Sequence, residues 1–459
     1  MTKSNPLVTV YITNCNYGSF IQEAINSVLE QTYQHIELVI VDDGSTDNSK
    51  DIIDQYSSLD NVTAIFQSNQ GLAKTNNVAI SVAKGTYIVR LDADDKFHND
   101  AIMHLLSGFD SEDVAMVFGN WNVVNEEGTF LYSYKRHNFQ KDVTLLDSPA
   151  HGACTMFRTD YLQLVGGYDE DLLCQDGYEL WFRIIDKFVV KNIDAIIFDY
   201  RRHGDNLTGN EDNILSTRAV ILRKVAKEKG LQKKSTFCFI PIRGSNVDSR
   251  SRPFQRLGGK YLIDHVLEEI IASGVFSAVV VSTPDQTLIE YLNETYAHEI
   301  TVQSRARDLS RINTSIDQVI LDLFAGEASY LKSYDYGMLI GIDRPFNKPH
   351  LLQSAIDIAS IFGVSNVIGV RPNSDIFFNH NGSSLEGVNF SKDSLRLERN
   401  DLYEMVRGFN LFNVKNLLSN ESMWGDIIGH VVLDQKTAIC IDSKLDLLIA
   451  EALLDSHYK

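Results

Sequence analysis

The sequence predicts two α/β domains in succession, each a mostly parallel sheet packed between helices. Three observations predict it. Short apolar runs alternate with stretches whose apolar residues recur at helical spacing. The alternation stops at a basic segment and restarts near Phe237. At 459 residues the chain is also longer than one ordinary core supports.

Taken in order, Val8 to Thr13 is the first strand, and Phe20 to Leu29 carries a helical stripe of Ile21, Ala24, Ile25, Val28 and Leu29. Ile36 to Val41 and Val62 to Phe66 are strands, Leu72 to Val82 is a helix stopped by Gly85, and Tyr87 to Leu91 and Val114 to Phe118 are further strands. A helix begins near Asn99, and another covers Tyr178 to Asp186. Ile214 to Lys234 reads as a terminal helix running into a basic linker (Lys224, Lys227, Lys229, Lys233, Lys234), which closes a first domain of residues 1–234. The second domain, residues 235–459, has strands at Phe237 to Ile242, Ala278 to Ser282, Met338 to Ile342 and Val367 to Val370. Its helices are Leu262 to Ala272, Ile316 to Phe324, Leu351 to Ile361 and Leu447 to Leu454.

The composition, 44% hydrophobic and 22% charged, is that of a globular protein. A net charge of -19 argues against a nucleic acid or anionic membrane held by general electrostatics. No run approaches the ~20 apolar residues of a membrane span. Met1 to Pro6 lacks the apolar stretch of a signal peptide. Five scattered cysteines, an odd number without zinc spacing, read as reduced thiols. The expectation is a cytoplasmic protein.

Two acidic clusters carry the chemistry. Asp42-Asp43-Gly44-Ser45-Thr46-Asp47 and Asp92-Ala93-Asp94-Asp95 each follow an apolar strand, where an open α/β sheet binds its ligands. Carboxylates crowded into one crevice repel unless a cation neutralises them. A hard divalent ion with oxygen ligands does so and bridges readily to a diphosphate, which points to a metal-dependent enzyme acting on a nucleoside-diphosphate compound. The bland alternatives are turn chemistry for Asp42 and an acidic helix cap for Asp92 to Asp95. Three carboxylates in four residues exceed what one cap needs.

Residues about 7 to 210 resemble the large inverting family of GT-A-fold glycosyltransferases (family 2 type). The pieces are Val8 to Tyr17, Ser27 to Tyr33, Val41 to Asp47, Asn69 to Leu72, Leu91 to Asp95, Val165 to Asp169 and Gln175 to Trp181, in the family's order. The resemblance implies a nucleotide site at Asp42, Asp43, Asn69, Gly71, Asn77 and Asp92. It implies Mn²⁺ or Mg²⁺ on Asp92, Asp94 and Asp95, with His203 as a further ligand or simply a hydrogen-bonded histidine. Asp176 stands where the family carries its catalytic base, or caps the helix that follows. The family's Arg after Gly71 is Asn76 here, and Gln175 and Gly177 depart from its usual Glu-Asp. The donor implied is a UDP-sugar, the acceptor a surface glycan, free or lipid-linked, and the process polysaccharide biosynthesis. Homo-oligomerisation is left open.

Residues about 236 to 455 resemble the cytidylyltransferases that make CMP-sialic acid and related CMP-nonulosonates. The pieces are Ile240 to Ser245, Leu257 to Ile263, Val280 to Asp285, Thr314 to Asp317 and Ile441 to Asp446. The fold implied is a second Rossmann-like nucleotidyltransferase domain, with Arg243 and Ser245 on CTP or CMP and Asp442 on its metal. The motifs are altered. The family's base-contacting Gln is Gly341, its Arg is Asn347, and one Asp of its metal pair is Cys440, a soft thiol poorly suited to Mg²⁺. Two readings stay open: an active synthetase, or a degenerate module that scaffolds the first domain.

Overall fold

The computed structural model describes residues 5–134, 152–172, 174–204, 211–244, 248, 251–373, 375, 377–380, 385–388 and 402–454. It divides into two compact units, residues 1–210 with 376–399, and residues 211–375 with 400–459.

The first unit runs β1 (Val8–Asn14), α1 (Ile21–Leu29), β2 (Ile36–Asp43), α2 (Ser49–Asp54), β3 (Val62–Gln67), α3 (Leu72–Val82), β4 (Tyr87–Asp92), β5 (Lys96–Phe97), α4 (Ala101–Ser107), β6 (Val114–Val124), β7 (Phe130–Tyr134), β8 (Met156–Arg158), α5 (Thr159–Leu164), α6 (Asp176–Ile185) and β9 (Val189–Arg201). Its sheet has the order β3-β2-β1-β4-β8-β6-β9-β5, with β7 paired to β6. The strands β3, β2, β1 and β4 are parallel, as expected. The far half is mixed: β8 lies antiparallel between β4 and β6, and β5 antiparallel to β9. Apolar periodicity marks a buried strand and is silent on its direction, so the mixed half was not legible.

Alternation along the strands builds both faces of the sheet. Val8, Val10 and Ile12 pack into one core with Ile25, Leu38, Ile40 and Leu91. Tyr11, Val39, Val41 and Ile88 pack into the other with Leu180 and Trp181 of α6. The chain builds β2 and β3 on one side of β1 and then crosses to β4 on the other. A topological switch point therefore opens between β1 and β4, where such sheets bind ligands.

The second unit runs α7 (Glu211–Glu228), β10 (Thr236–Pro241), β11 (Arg256–Leu257), β12 (Lys260–Tyr261), α8 (Leu262–Ser273), β13 (Ala278–Thr283), α9 (Gln286–Tyr296), β14 (Thr301–Ser304), α10 (Ile316–Ala325), β15 (Tyr336–Ile340), α11 (Pro349–Phe362) and β16 (Asn366–Asn373). A two-stranded ribbon of β17 (Phe378–His380) and β18 (Leu385–Gly387) groups with the first unit. The second unit ends in β19 (Leu402–Asn413), α12 (Val414–Asn420), β20 (Ile428–Val432) and α13 (Lys444–Leu454). Its sheet order is β14-β13-β10-β15-β19-β16-β20, parallel except where β19 runs against β15 and β16.

The structure moves one boundary. The helix after residue 210, read from sequence as the end of the first domain, belongs to the second unit. Its Leu215, Ile221, Leu222 and Val225 are buried, Leu215 within the second unit's core. Arg223 Nη1 pairs with the buried Asp357 of α11 at 3.0 Å. The basic residues drew attention to the segment's exposed face, whereas its buried stripe decides where it packs.

Candidate active site

Parallel register brings the acidic segments together. Asn14 lies opposite Asp42 across β1 and β2, and Thr13 opposite Asp92 across β1 and β4. Asn14 Nδ2 donates to Asp42 Oδ2 at 2.8 Å and to Ser45 Oγ at 3.0 Å, and Ser45 N donates to Asp42 Oδ1. Asn16, at a positive φ of 62°, accepts from Thr46 N, and Gly18 N donates to Asp47. The turn 42–47 is thus clasped to the loop after β1. Asp42 is buried at this strand end.

Asp43 builds the crevice wall. Its carboxylate accepts from Gln67 Nε2, Gln70 N and Gly71 N at 2.8–2.9 Å, which fixes the entry to α3. Asn69 reaches Cys15 Sγ at 3.3 Å, and Gly71 precedes α3 at φ 89°. Asn77 is engaged elsewhere: it donates to Tyr168 O and Glu170 Oε1 and accepts from Tyr168 N, so it holds the Gly166-Gly167-Tyr168 turn. A ligand would have to compete with those bonds.

The second cluster is the electrostatic centre. One carboxylate oxygen from each of Asp92, Asp94 and Asp95 lies within 4.8 Å of the others, and this is the one such group among the described residues. Asp92 Oδ1 lies 2.9 Å from Arg90 Nε. Asp94 Oδ2 meets His203 Nε2 at 2.9 Å. Asp95 Oδ1 accepts from Arg201 N at 3.0 Å, while its buried Oδ2 has no hydrogen-bond partner among the described residues. Asn14 Oδ1, on the neighbouring strand, is buried and unpartnered in the same way. Burial, and then the charges of its neighbours, push the Asp95 carboxyl well above the usual range and raise Asp94 in the same direction. Buried acceptor oxygens without donors, beside a cluster of three carboxyls, are the donor set a hard divalent cation satisfies. The residues fit Mn²⁺ or Mg²⁺.

His203 enters this site from the end of β9, a strand the sequence reading missed. Its ring stacks on Phe20 at 5.5 Å and meets Tyr17 edge-on at 5.7 Å. Arg201 and Arg90 were also missed: neither belongs to a recognisable motif, and both are set by pairings remote in sequence.

Asp176 is the first residue of α6, after Gln175 at a left-handed φ of 59°. Gly177 is explained by proximity, since a Cβ there would lie 3.0 Å from Gly152 Cα. Two residues on, Cys154 N donates to Arg90 O at 2.7 Å. The start of α6 is thereby packed against the segment that borders the acidic turn. Glu179 is committed to Arg183, which also donates to Val165 O and Gly167 O.

In the second unit the expected residues that are described have local partners. Asp442 pairs with Arg407 and joins no carboxylate cluster among the described residues. Its metal role therefore finds no partner carboxylates of that kind. Arg243 donates to Asp248 Oδ2 at 3.2 Å and to Ile312 O. Ser245 lies outside the described residues. Gly341 packs against Gly408, and a Cβ on either would come within 3.2 Å of the other's backbone. The buried Arg344 donates to the carbonyls of Arg407 and Thr437. No helix of the described residues is long and apolar enough to cross a membrane.

The family description Glycosyl transferase family 2 matches residues 9–166. The hyaluronan synthase of Pasteurella multocida is 29% identical over 51% of this chain, a stretch that spans 23% of that protein. The crystal structure of TarS residues 1–349 from S. aureus, in complex with UDP-GlcNAc, is similar over 48% of this chain and 66% of that one, at 21% identity and a TM-score of 0.42. An uncharacterized glycosyltransferase of Rickettsia prowazekii is 30% identical over 257 residues, 51% of this chain and 78% of that protein. With the acidic turn, the switch-point crevice and that coverage together, the chain belongs to glycosyl transferase family 2.

Proposed function

We propose that the first unit moves a sugar, with inversion, from a UDP-sugar to a hydroxyl of a surface polysaccharide, free or lipid-linked. The observation that carries this reading is the gathering of Asp92, Asp94 and Asp95, with the unpartnered Asp95 Oδ2, beside Asp42 at the switch point. The match to a hyaluronan synthase supports a polysaccharide acceptor.

Asp42 accepts a hydrogen bond from the base of the nucleotide. Asp92, Asp94 and Asp95, with His203 against Asp94, would hold Mn²⁺ or Mg²⁺, which would supply positive charge to the nucleoside diphosphate. Asp176 takes the proton of the acceptor hydroxyl as that oxygen bonds to the anomeric carbon. The bond from that carbon to the diphosphate oxygen breaks on the opposite face, which inverts the configuration.

The second unit, residues 211–375 with 400–459, is read as a degenerate cytidylyltransferase-like module. The Asp442–Arg407 pair and the close packing of Gly341 on Gly408 support that reading. A thermal-shift panel of the whole chain with UDP, GDP, CMP and CTP, with and without Mn²⁺, tests both halves, because a ligand of the native state must raise its stability. The expected outcome is a manganese-dependent shift with UDP and none with CTP. A shift with GDP alone would change the donor. A CTP shift, followed by pyrophosphate release with CTP and a nonulosonic acid, would make the chain bifunctional.

A further inference from the structure

Three segments distant in sequence meet on one side chain. Arg201 N donates to Asp95 Oδ1 at 3.0 Å, and its Nε donates to the carbonyl of Asp94 at 2.9 Å. Nη2 pairs with Glu23 Oε2 on α1 at 2.6 Å, and Nη1 donates to the carbonyl of Glu126, in the turn joining β6 to β7, at 2.8 Å. The guanidinium lies over the Phe20 ring at 5.1 Å, and its side chain is 5% exposed. We infer that Arg201 is the positioning residue that sets the cation affinity of the Asp92–Asp95 turn, by tying that turn to α1 and to the β6–β7 hairpin. This inference rests on the metal reading of the acidic turn.

A guanidinium presents its donors in a rigid planar fork, so fixing one direction fixes the others. Here one direction belongs to the acidic turn, one to α1 and one to the hairpin. The backbone of the same residue holds Asp95 Oδ1, which leaves Oδ2 as the oxygen without a protein donor among the described residues. Two residues on, His203 meets Asp94 Oδ2, so the end of β9 orients both buried carboxylates. Glu23 opposes the charge of Arg201 directly, so Arg201 acts on the turn through position more than through field. A lysine would keep the charge and lose the fork. Groups that orient metal-binding carboxylates in this way typically change metal affinity ~10–100-fold when replaced.

The test is a Mn²⁺ titration of the full chain, read as the UDP-dependent thermal shift, for the wild type, Arg201→Lys and Glu23→Gln. Arg201→Lys is expected to raise the half-saturating Mn²⁺ concentration at least about tenfold, with the metal-free melting temperature kept within a few degrees. Glu23→Gln, which leaves Arg201 in place and removes one anchor, is expected to move the midpoint the same way by a smaller factor. That second variant decides the matter if Arg201→Lys does not fold. Unmoved midpoints in variants that fold, whether or not transfer is lost, would overturn the clamp while leaving the metal reading intact. A wild type with no manganese-dependent shift would instead remove the metal reading on which the clamp rests.

Discussion

At the scale of the residue, several groups expected in the site are already bonded within the protein. Asp43 and Asn77, both expected in the nucleotide site, are bonded into the walls of the crevice. Glu179 is bound to Arg183, which removes the nearest alternative base on α6. Under the proposed mechanism the proton acceptor is Asp176. Asp176→Asn keeps shape and hydrogen-bond reach but cannot take a proton, and loss of a general base typically costs ~10²–10⁴-fold in rate. Transfer assayed by UDP release is expected to fall by that order, with the UDP thermal shift retained. Transfer at nearly the wild-type rate would exclude Asp176.

At the scale of the element, the crevice depends on loops that approach without side chains between them. Gly44 has φ 78°, and a Cβ there would sit 2.7 Å from the backbone N of Asn69. Gly71 has φ 89° but nothing within 4 Å of its Cβ position. Gly44→Ala therefore adds a backbone clash to the strain of a left-handed residue, and is expected to cost about 1–3 kcal/mol in urea unfolding. Gly71→Ala is expected to cost less, and a reversed order would mean that the loop at Asn69 yields freely. These elements also show what the sequence made legible. The strands β1, β2 and β4 stood out because they are largely buried and mostly apolar, interrupted only by Thr9, Glu37 and Arg90 before their polar ends, and both acidic clusters lie at the ends of β2 and β4. β9 did not stand out, because polar residues interrupt it (Lys191, Asn192, Asp194, Asp199). With it went the role of Arg201, which depends on where that strand ends; His203 was legible only through the family resemblance. The Asp442–Arg407 pair was not legible for a similar reason: a carboxylate in a familiar motif gives no sign that an arginine 35 residues earlier pairs with it.

At the scale of the whole molecule, the chain divides into two compact units, with one border just before α7 and residues 376–399 grouping with the first unit. That helix buries Leu215, Ala219, Ile221, Leu222, Val225 and Ala226 within the second unit, and fully burying each large aliphatic side chain is worth roughly 1.5–3 kcal/mol. A fragment of residues 211–459 is expected to melt cooperatively, whereas residues 235–459 would expose the surface that α7 covers and lose the partner of Asp357. Equal melting of the two fragments would show that α7 contributes nothing to that core. The central claim, however, is that the first unit handles its donor through a cation on Asp92, Asp94 and Asp95. The most direct measurement is Mn²⁺ binding by electron paramagnetic resonance in the presence of UDP, comparing the whole chain with Asp94→Ala and Asp442→Asn. The expected result is one tightly held ion in the wild type and in Asp442→Asn, and its loss in Asp94→Ala. Undiminished binding in Asp94→Ala, or loss in Asp442→Asn, would contradict the claim.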